Sequence, residues 1–450
     1  MRIDVRNREA DVRVSAIDWP TVHAEALEIF VRYLQIDTSN PPGNEKPAAR
    51  YLGSLLEAEG VECEYIETAP GREVLVARLH GDGSKRPLML CNHTDVVPVE
   101  AAYWDMPAFE GVVQDGRVYG RGAIDMKSCG VMHLVAFLLL KRMGTPLARD
   151  LVFCAVPDEE MGSTLGMSWL CEHRPDVVDV EFELSEGGMG ASRFAGKDAK
   201  LFNVATGEKV SGGLHLTAVG KPGHGSRPHE DNSAIHLMRA LLKLHEWDRG
   251  ITYTTATTAY LDRLADAGLM PPMSDRDAVE EQIRRSPALH AMFINTINVT
   301  IFHSGIKSNV IPAKSEATID CRLLPGQSRE DWRQQVIDYI DDPRISVELT
   351  RGMAQPEPTE AEWDTELFRV IQSTIKGAME DATVLPAMTV GATDNRFLRA
   401  RGIPAYGFIP ALLSPEEGAG FHGNNEHITI DNLQMGCELM YEVVRRMCAQ

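Results

Sequence analysis

Three stretches of this chain, EVLVARLHG, RPLMLCNHTDVV and DLVFCAVPDEE, run apolar for about the length of a strand and then stop at polar or charged residues. Runs of this kind suit strands covered on both faces, because few of their positions alternate toward water. A helix-length apolar stretch, VMHLVAFLLLKRM, lies between the second and third. Strands that take turns with buried helices predict an α/β fold. Open sheets of that class hold their chemistry in the crevice beyond the carboxyl ends of the strands. His93 and Asp95 fall at one such end, Glu159 and Glu160 at another.

A single hydrophobic core rarely serves 450 residues, so at least two domains are expected. From about Gly212 the texture changes. GGLHLTAVGKPGHGSRPHEDNSAIHLMRALLKLH reads as a strand, a glycine-rich turn and an amphipathic helix whose start is marked by Asp231 and Asn232. The far end of this second unit is SNVIPAKSEATIDCRLLPG, where Ala317, Ile319 and Cys321 alternate with Thr318, Asp320 and Arg322 before Pro325 and Gly326 close it. Residues 251–295 are polar and helical in pattern and carry no catalytic signature.

Charge narrows the partners. With 45 basic and 65 acidic residues the formal net charge is −20, which argues against nucleic acid and anionic membrane surfaces. No segment approaches the ~18 apolar residues of a membrane span. The opening MRIDVRNREADVRVSAIDWP lacks the apolar core of a signal peptide. Eight scattered cysteines with no C-x-x-C pair read as reduced residues. The expected location is cytoplasmic.

The polar groups at the strand ends form a chemical series. In His93-Thr94-Asp95 an extended backbone puts the imidazole and carboxylate on one face, where the carboxylate can fix the ring for a metal. A structural histidine is the simpler alternative. Asp125, in GRGAIDMKSCG, has glycines on both sides and can bridge two cations or cap the next helix. Glu159 and Glu160 are adjacent after an apolar strand, where charge is costly to bury without compensation. A two-metal hydrolase needs one carboxylate on a metal and a second, unligated one to accept a proton. Glu186 in FELSEGGMG and His422 in FHGNNEH complete a mixed nitrogen and oxygen set suited to a pair of zinc ions.

The series HTD, GRGAIDMK, PDEE, SEGG and HGNNE, in that order, resembles the aminoacylase, carboxypeptidase G and succinyl-diaminopimelate desuccinylase family of co-catalytic zinc amidohydrolases. The resemblance runs from about residue 25 to the end. PGHGSRPHEDN, SNVIPAKSEATIDCRL and GATDNRFLRARGIPAYGF extend it. It implies that Asp125 bridges two Zn2+ ions, that His93 and Glu186 complete one and that Glu160 and His422 complete the other. Cobalt or manganese also suits such ligands. It further implies that Asp95 orients His93, that Glu159 is the general base and acid, and that the peptide bond after Asp125 is cis.

The same resemblance implies a zinc-peptidase-like catalytic domain, a mixed sheet flanked by helices, built from residues 1–209 and 327–450. An α+β lid and dimerisation domain, residues 210–326, interrupts it, with hinges near Gly207–Gly213 and Pro325–Gly326. His224 would reach the partner subunit's active site in a homodimer and polarise the scissile carbonyl. Asn309 and Arg322 match substrate-contacting positions, and Arg396 is a second candidate for a carboxylate clamp, with a structural ion pair as the alternative for either arginine. The substrate class implied is a small N-acyl-amino acid or related amide, with a dipeptidase or carboxypeptidase as the alternative. Two other readings are a non-catalytic scaffold, which should have lost a ligand, and a cysteine hydrolase using Cys91, which lacks an activating cation nearby.

Overall fold

The computed structural model describes residues 17–350 and 356–450. Most of the opening stretch on which the expectation of no export signal rests lies outside the described residues. Among the described residues no helix is long and apolar enough to cross a membrane.

An eight-stranded mixed sheet forms the larger unit. Its strands are β1 (Cys63–Ala69), β2 (Arg72–Leu79), β3 (Leu88–His93), β6 (Leu151–Val156), β7 (Phe182–Phe194), β8 (Lys197–Glu208), β16 (Thr383–Thr389) and β17 (Ala405–Leu413). They lie in the order β1-β2-β6-β3-β7-β17-β8-β16. The central strands β6, β3, β7 and β17 run parallel, while β1 and β2 are antiparallel additions at one edge. The unbroken apolar runs are explained by helices on both faces. In β3, Leu88 and Leu90 join the core on one side while Met89 and Cys91 join the core on the other. β6 divides the same way, with Leu151, Phe153 and Ala155 against Val152, Cys154 and Val156.

The helix Lys127–Arg142 is buried nearly all round because it is sandwiched between this sheet and the helices Trp19–Leu34 and Ile430–Cys448. That environment accounts for its lack of a polar face.

A second, smaller sheet contains β12 (Thr296–Ser304), β14 (Lys314–Leu323), β10 (Leu214–Val219) and β15 (Ile345–Leu349) in that order, with β9 (Val210–Ser211) pairing β14. The alternation expected at Ala317, Ile319 and Cys321 is the buried face of β14. It packs under the helices Ser233–His245 and Arg329–Ile340. Asn232 caps the first of these through its side-chain oxygen. A short ribbon pairs β11 (Gly223–His224) with β13 (Val310–Ile311). Another sheet joins β18 (His427–Thr429), β5 (Arg117–Tyr119) and β4 (Val112–Gln114).

The packing departs from the expected insert of 210–326 in two places. β15 pairs with β10, so the small-sheet unit runs on to Leu349. Within the insert, the helices Thr255–Asp266, Arg276–Arg285 and Pro287–Ala291 return to the large sheet, where Tyr260, Leu261, Ile283 and Leu289 pack on Leu201, Leu385 and Ala387. The reason is an apolar face to cover: Leu385 and Ala387 of β16 and Leu201 of β8 lie on one side of the large sheet, and this segment packs on them.

Candidate metal centre

Three parallel strands deliver three site segments to one edge. β3 ends on His93, β6 leads through Val156 into the Pro157–Glu160 turn, and β7 carries Glu186. Cα register places His93 opposite Val156. Asp125 comes from the turn that opens the helix Lys127–Arg142, and the peptide bond after it is cis. His422 comes from a loop after the short helix Pro415–Ala419, with a left-handed backbone at φ 54°.

These five residues form two groups that share Asp125. Candidate ligand atoms of His93, Asp125 and Glu186 lie within 4.8 Å of one another, and so do those of Asp125, Glu160 and His422. The Nε2 of His93 is 2.9 Å from Asp125 Oδ1 and 3.5 Å from Glu186 Oε1. The Nε2 of His422 is 2.8 Å from Asp125 Oδ2 and 3.3 Å from Glu160 Oε2. Each oxygen of Asp125 thus faces a different imidazole.

The electrostatics call for cations. Burial and the Asp125 charge push the Glu186 carboxyl up to about 8 and raise Glu160 as well. Glu159 is raised well above the carboxylate range by burial and then by Glu186, in spite of the Arg396 charge. Burial opposes ionisation of Asp125 too, yet contacts with His422 and His93 hold it below its ordinary value. His422, contacted by Asp125 and Glu160, is pushed up to about 10. Glu160 Oε1 is buried and has no partner. Four carboxylates against two imidazoles, with one oxygen orphaned, leave negative charge that divalent cations would satisfy. The donor set of imidazole nitrogen and carboxylate oxygen fits zinc.

Glu159 sits beside both groups and in neither. Its backbone N–H donates to Asp95 Oδ1 at 3.1 Å and that of Glu160 to Asp95 Oδ2 at 3.1 Å. This sharpens the expected role of Asp95. The His93 Nδ1 lies 2.9 Å from the Asp95 backbone carbonyl and 3.5 Å from its carboxylate, so the main chain is the nearer partner of the ring. The Asp95 carboxylate also grips the glutamate turn.

Arg396 is 2% exposed, and its guanidinium donates to Thr393 O and Ser163 Oγ and faces Glu159 Oε1 at 3.4 Å. It is an internal ion-pair partner of Glu159, the structural alternative to a substrate clamp at this position. Arg322 donates through Nε and Nη2 to Asp320 at 3.0 and 3.1 Å on the small sheet. His224 and Asn309 are exposed in the β11–β13 ribbon, and the His224 Nδ1 contacts Ser226 Oγ at 2.8 Å. Among the described residues no hydrogen bond or ion pair joins His224, Asn309 or Arg322 to the five clustered candidate ligands. Cys91 is buried, and contact with Cys154 together with burial raises its thiol well above the usual range, which removes the thiolate a cysteine hydrolase needs.

Two supporting residues carry no assignment from sequence. Glu426 is fully buried and accepts from Gly122 N at 2.9 Å, Ile124 N at 2.6 Å, Asp125 N at 3.1 Å and Arg121 Nη1 at 2.7 Å, which fixes the Asp125 turn. The pairing of β18 with β5 brings it there. Asn40 donates from Nδ2 to Asp95 Oδ2 at 2.8 Å. The signal for Glu426 was its place in the HGNNE motif beside His422. Asn40 has none beyond its position before two prolines.

A family model described as peptidase family M20/M25/M40 matches residues 89–446. Aminoacylase-1 from Mus musculus is 27% identical over 424 residues, covering 93% of this chain and 94% of the relative. Among solved structures, an M20 family metallo-carboxypeptidase from Sulfolobus solfataricus superposes with a TM-score of 0.69 at 20% identity, covering 94% of this chain and 98% of its own. Human carnosine dipeptidase 1 superposes with a TM-score of 0.67 at 15% identity, covering 95% and 98%. The family match spans most of the sequence, and the sheet-plus-insert architecture is that of these structures. The chain therefore belongs to peptidase family M20/M25/M40, and it is a hydrolase acting on amide or peptide bonds.

Proposed function

We propose that this chain hydrolyses the amide bond of a small N-acyl-amino acid or a closely related amide, with two zinc ions shared across Asp125 and Glu159 as the proton-transfer group. The observation that carries this reading is the division at Asp125, whose Oδ1 faces His93 and whose Oδ2 faces His422, with Glu159 next door and outside both groups. His93, Asp125 and Glu186 would hold one ion; Asp125, Glu160 and His422 would hold the other. When bound, such a pair supplies Lewis acidity to the amide carbonyl and brings the pKa of water near neutrality.

The chain's own residues do the rest. Glu159 takes a proton on its carboxylate from the attacking water and returns it to the leaving nitrogen, so that water and amide become acid and amine. Asp95 holds the Glu159 and Glu160 backbone N–H groups, and Arg396 sits against the Glu159 carboxylate. Both fix where the proton is exchanged. Arg322 would bind a substrate carboxylate after leaving Asp320, and Asn309 would line the same subsite.

The small-sheet unit is proposed as a lid that also dimerises. β12 is the free edge of its sheet and exposes Val299, Ile301 and Phe302, while Met238 and Leu242 expose apolar surface on the neighbouring helix. An uncovered apolar edge is a pairing surface, and a second copy of this chain is its proposed occupant. His224 would then act in the partner's site as an oxyanion donor. A reducing compartment, the cytosol, is proposed from the eight cysteines, all of them free.

Substrate class is tested by assaying acyl-amino acids, dipeptides and C-terminally extended peptides on the zinc-loaded protein. Highest kcat/KM on an N-acyl-amino acid is expected. Dipeptides or C-terminal cleavage leading the panel would replace this reading with a dipeptidase or carboxypeptidase.

A further inference from the structure

A cavity of about 330 Å³ opens where the two units meet, remote in sequence from every ligand of the metal centre. One wall is the turn after the helix Ser233–His245 of the small-sheet unit, carrying Trp247 and Arg249. The other wall belongs to the helices Arg276–Arg285 and Pro287–Ala291, which pack on the large sheet, and it carries Arg284 and His290.

Its polar atoms are incompletely used. Nε and Nη1 of Arg249 are buried without a hydrogen-bond partner, as is Nε2 of His290. Among the described residues no carboxylate forms an ion pair with Arg249. Arg284 reaches Asp248 only at 3.4 to 3.5 Å, and the Oδ1 of Asp248 is already engaged by Gly250 N at 3.0 Å. Glu246, also on the rim, is exposed and pairs with neither arginine. Behind the cavity, Lys209 donates to Ala291 O at 3.0 Å and Ile294 O at 2.7 Å. Burial, followed by the Arg322 and Arg249 charges, pushes this lysine down to about 7.

Buried donors without partners are rare because desolvation is not repaid. They are more unexpected in a chain of net charge −20, where carboxylates are plentiful. A guanidinium in a cavity wall with no carboxylate paired to it suits a planar or tetrahedral oxyanion, which accepts several N–H donors at once. We infer that the cavity is a binding site for a small multivalent oxyanion, of the phosphate or carboxylate class, which bridges the two units by engaging Arg249 from one and Arg284 and His290 from the other. Its occupancy would tie the lid to the large sheet without touching the metal centre.

The test is calorimetric titration of inorganic phosphate, and separately of malonate, into the full chain, once zinc-loaded and once after chelation. Trp247 fluorescence provides a second readout at the cavity wall. One saturable event should be present with and without zinc, and Arg249→Met should weaken it about tenfold or more. Arg284→Gln, at a partly exposed position, should weaken it by a smaller factor and covers the case in which Arg249→Met fails to fold. Tighter binding of phosphate or of malonate identifies which of the two sources the site prefers. Absence of saturable binding, or binding that disappears with zinc and is unchanged in both variants, would overturn the inference.

Discussion

The metal-centre edge of the large sheet and the free edge of the small sheet are built on opposite terms. At the first, His93, Asp125 and Glu186 are buried, Glu160 is half-buried and His422 exposed, and backbone amides and buried side chains hold the groups that hold these candidate ligands: Glu426 for the Asp125 turn, Asp95 for the glutamate turn, Asn40 for Asp95. At the second, β12 leaves apolar side chains in solvent, and His224 and Asn309 stand on an exposed ribbon with little to fix them. One region is held within a single chain; the other is left open, and under the proposed reading it supplies geometry through closure or association while the first supplies chemistry.

The change that should separate the regions most sharply is Glu159→Gln. Turnover is expected to fall by about 10³-fold, within the usual range for losing a proton-transfer group, with folding intact by circular dichroism. Wild-type kcat in that variant would end the distinction between base and ligands. On the other side of the comparison, His224→Ala should cost about 10²-fold. Because the proposed action is across subunits, mixing it with Glu159→Gln under proven subunit exchange should restore part of the rate. Placing a charge on the free edge, as in Phe302→Asp, should shift the sedimentation coefficient to that of a monomer and lower activity toward the His224→Ala level. A fully active monomer would show that the small sheet needs no partner.

Within the metal-centre edge, Glu426→Gln keeps shape but weakens acceptance from the Asp125 turn. A loss of roughly 10- to 100-fold in zinc affinity, measured by competition with a chelator, is expected for such a supporting group. Unchanged affinity would mean the turn holds itself.

The smallest effect concerns stability. Glu183, fully buried in β7 with both oxygens unpartnered, is pushed up to about 8 by burial and by Asp394. A carboxyl raised in the folded state favours folding at low pH, where it is protonated in both states, and loses that advantage as pH climbs between its unfolded value of 4.5 and about 8. Glu183→Gln should therefore change little near pH 4.5 and stabilise by an order of a few kcal/mol at most near pH 8, read by chemical denaturation. A stabilisation independent of pH would point to packing.

The same contrast explains what could be read from the chain alone. Strand ends, the five candidate ligands that the fold brings together and the Glu159 and Glu160 doublet were legible because local apolar runs and adjacent glycines mark them in sequence. Glu426 was not, since its work is to accept N–H donors from a turn about 300 residues earlier. The polar, helical pattern of residues 251–295 did not show which surface buries its helices, and for Thr255–Asp266 that surface proved to be β16. β15 was missed for a similar reason: a short strand of alternating pattern becomes legible only beside its partner β10. For Arg396 the sequence left a clamp and a structural ion pair equally open, and tertiary packing sets it against Glu159.

The central claim is that Asp125 is shared by two metal positions while Glu159 belongs to neither. Zinc bound per chain, measured by mass spectrometry on dialysed protein, tests it directly. Two ions are expected in the wild type and in Glu159→Gln, and fewer than one in Asp125→Ala. A wild type that saturates at one ion, a Glu159→Gln variant that loses metal, or an Asp125→Ala variant that keeps both would contradict it.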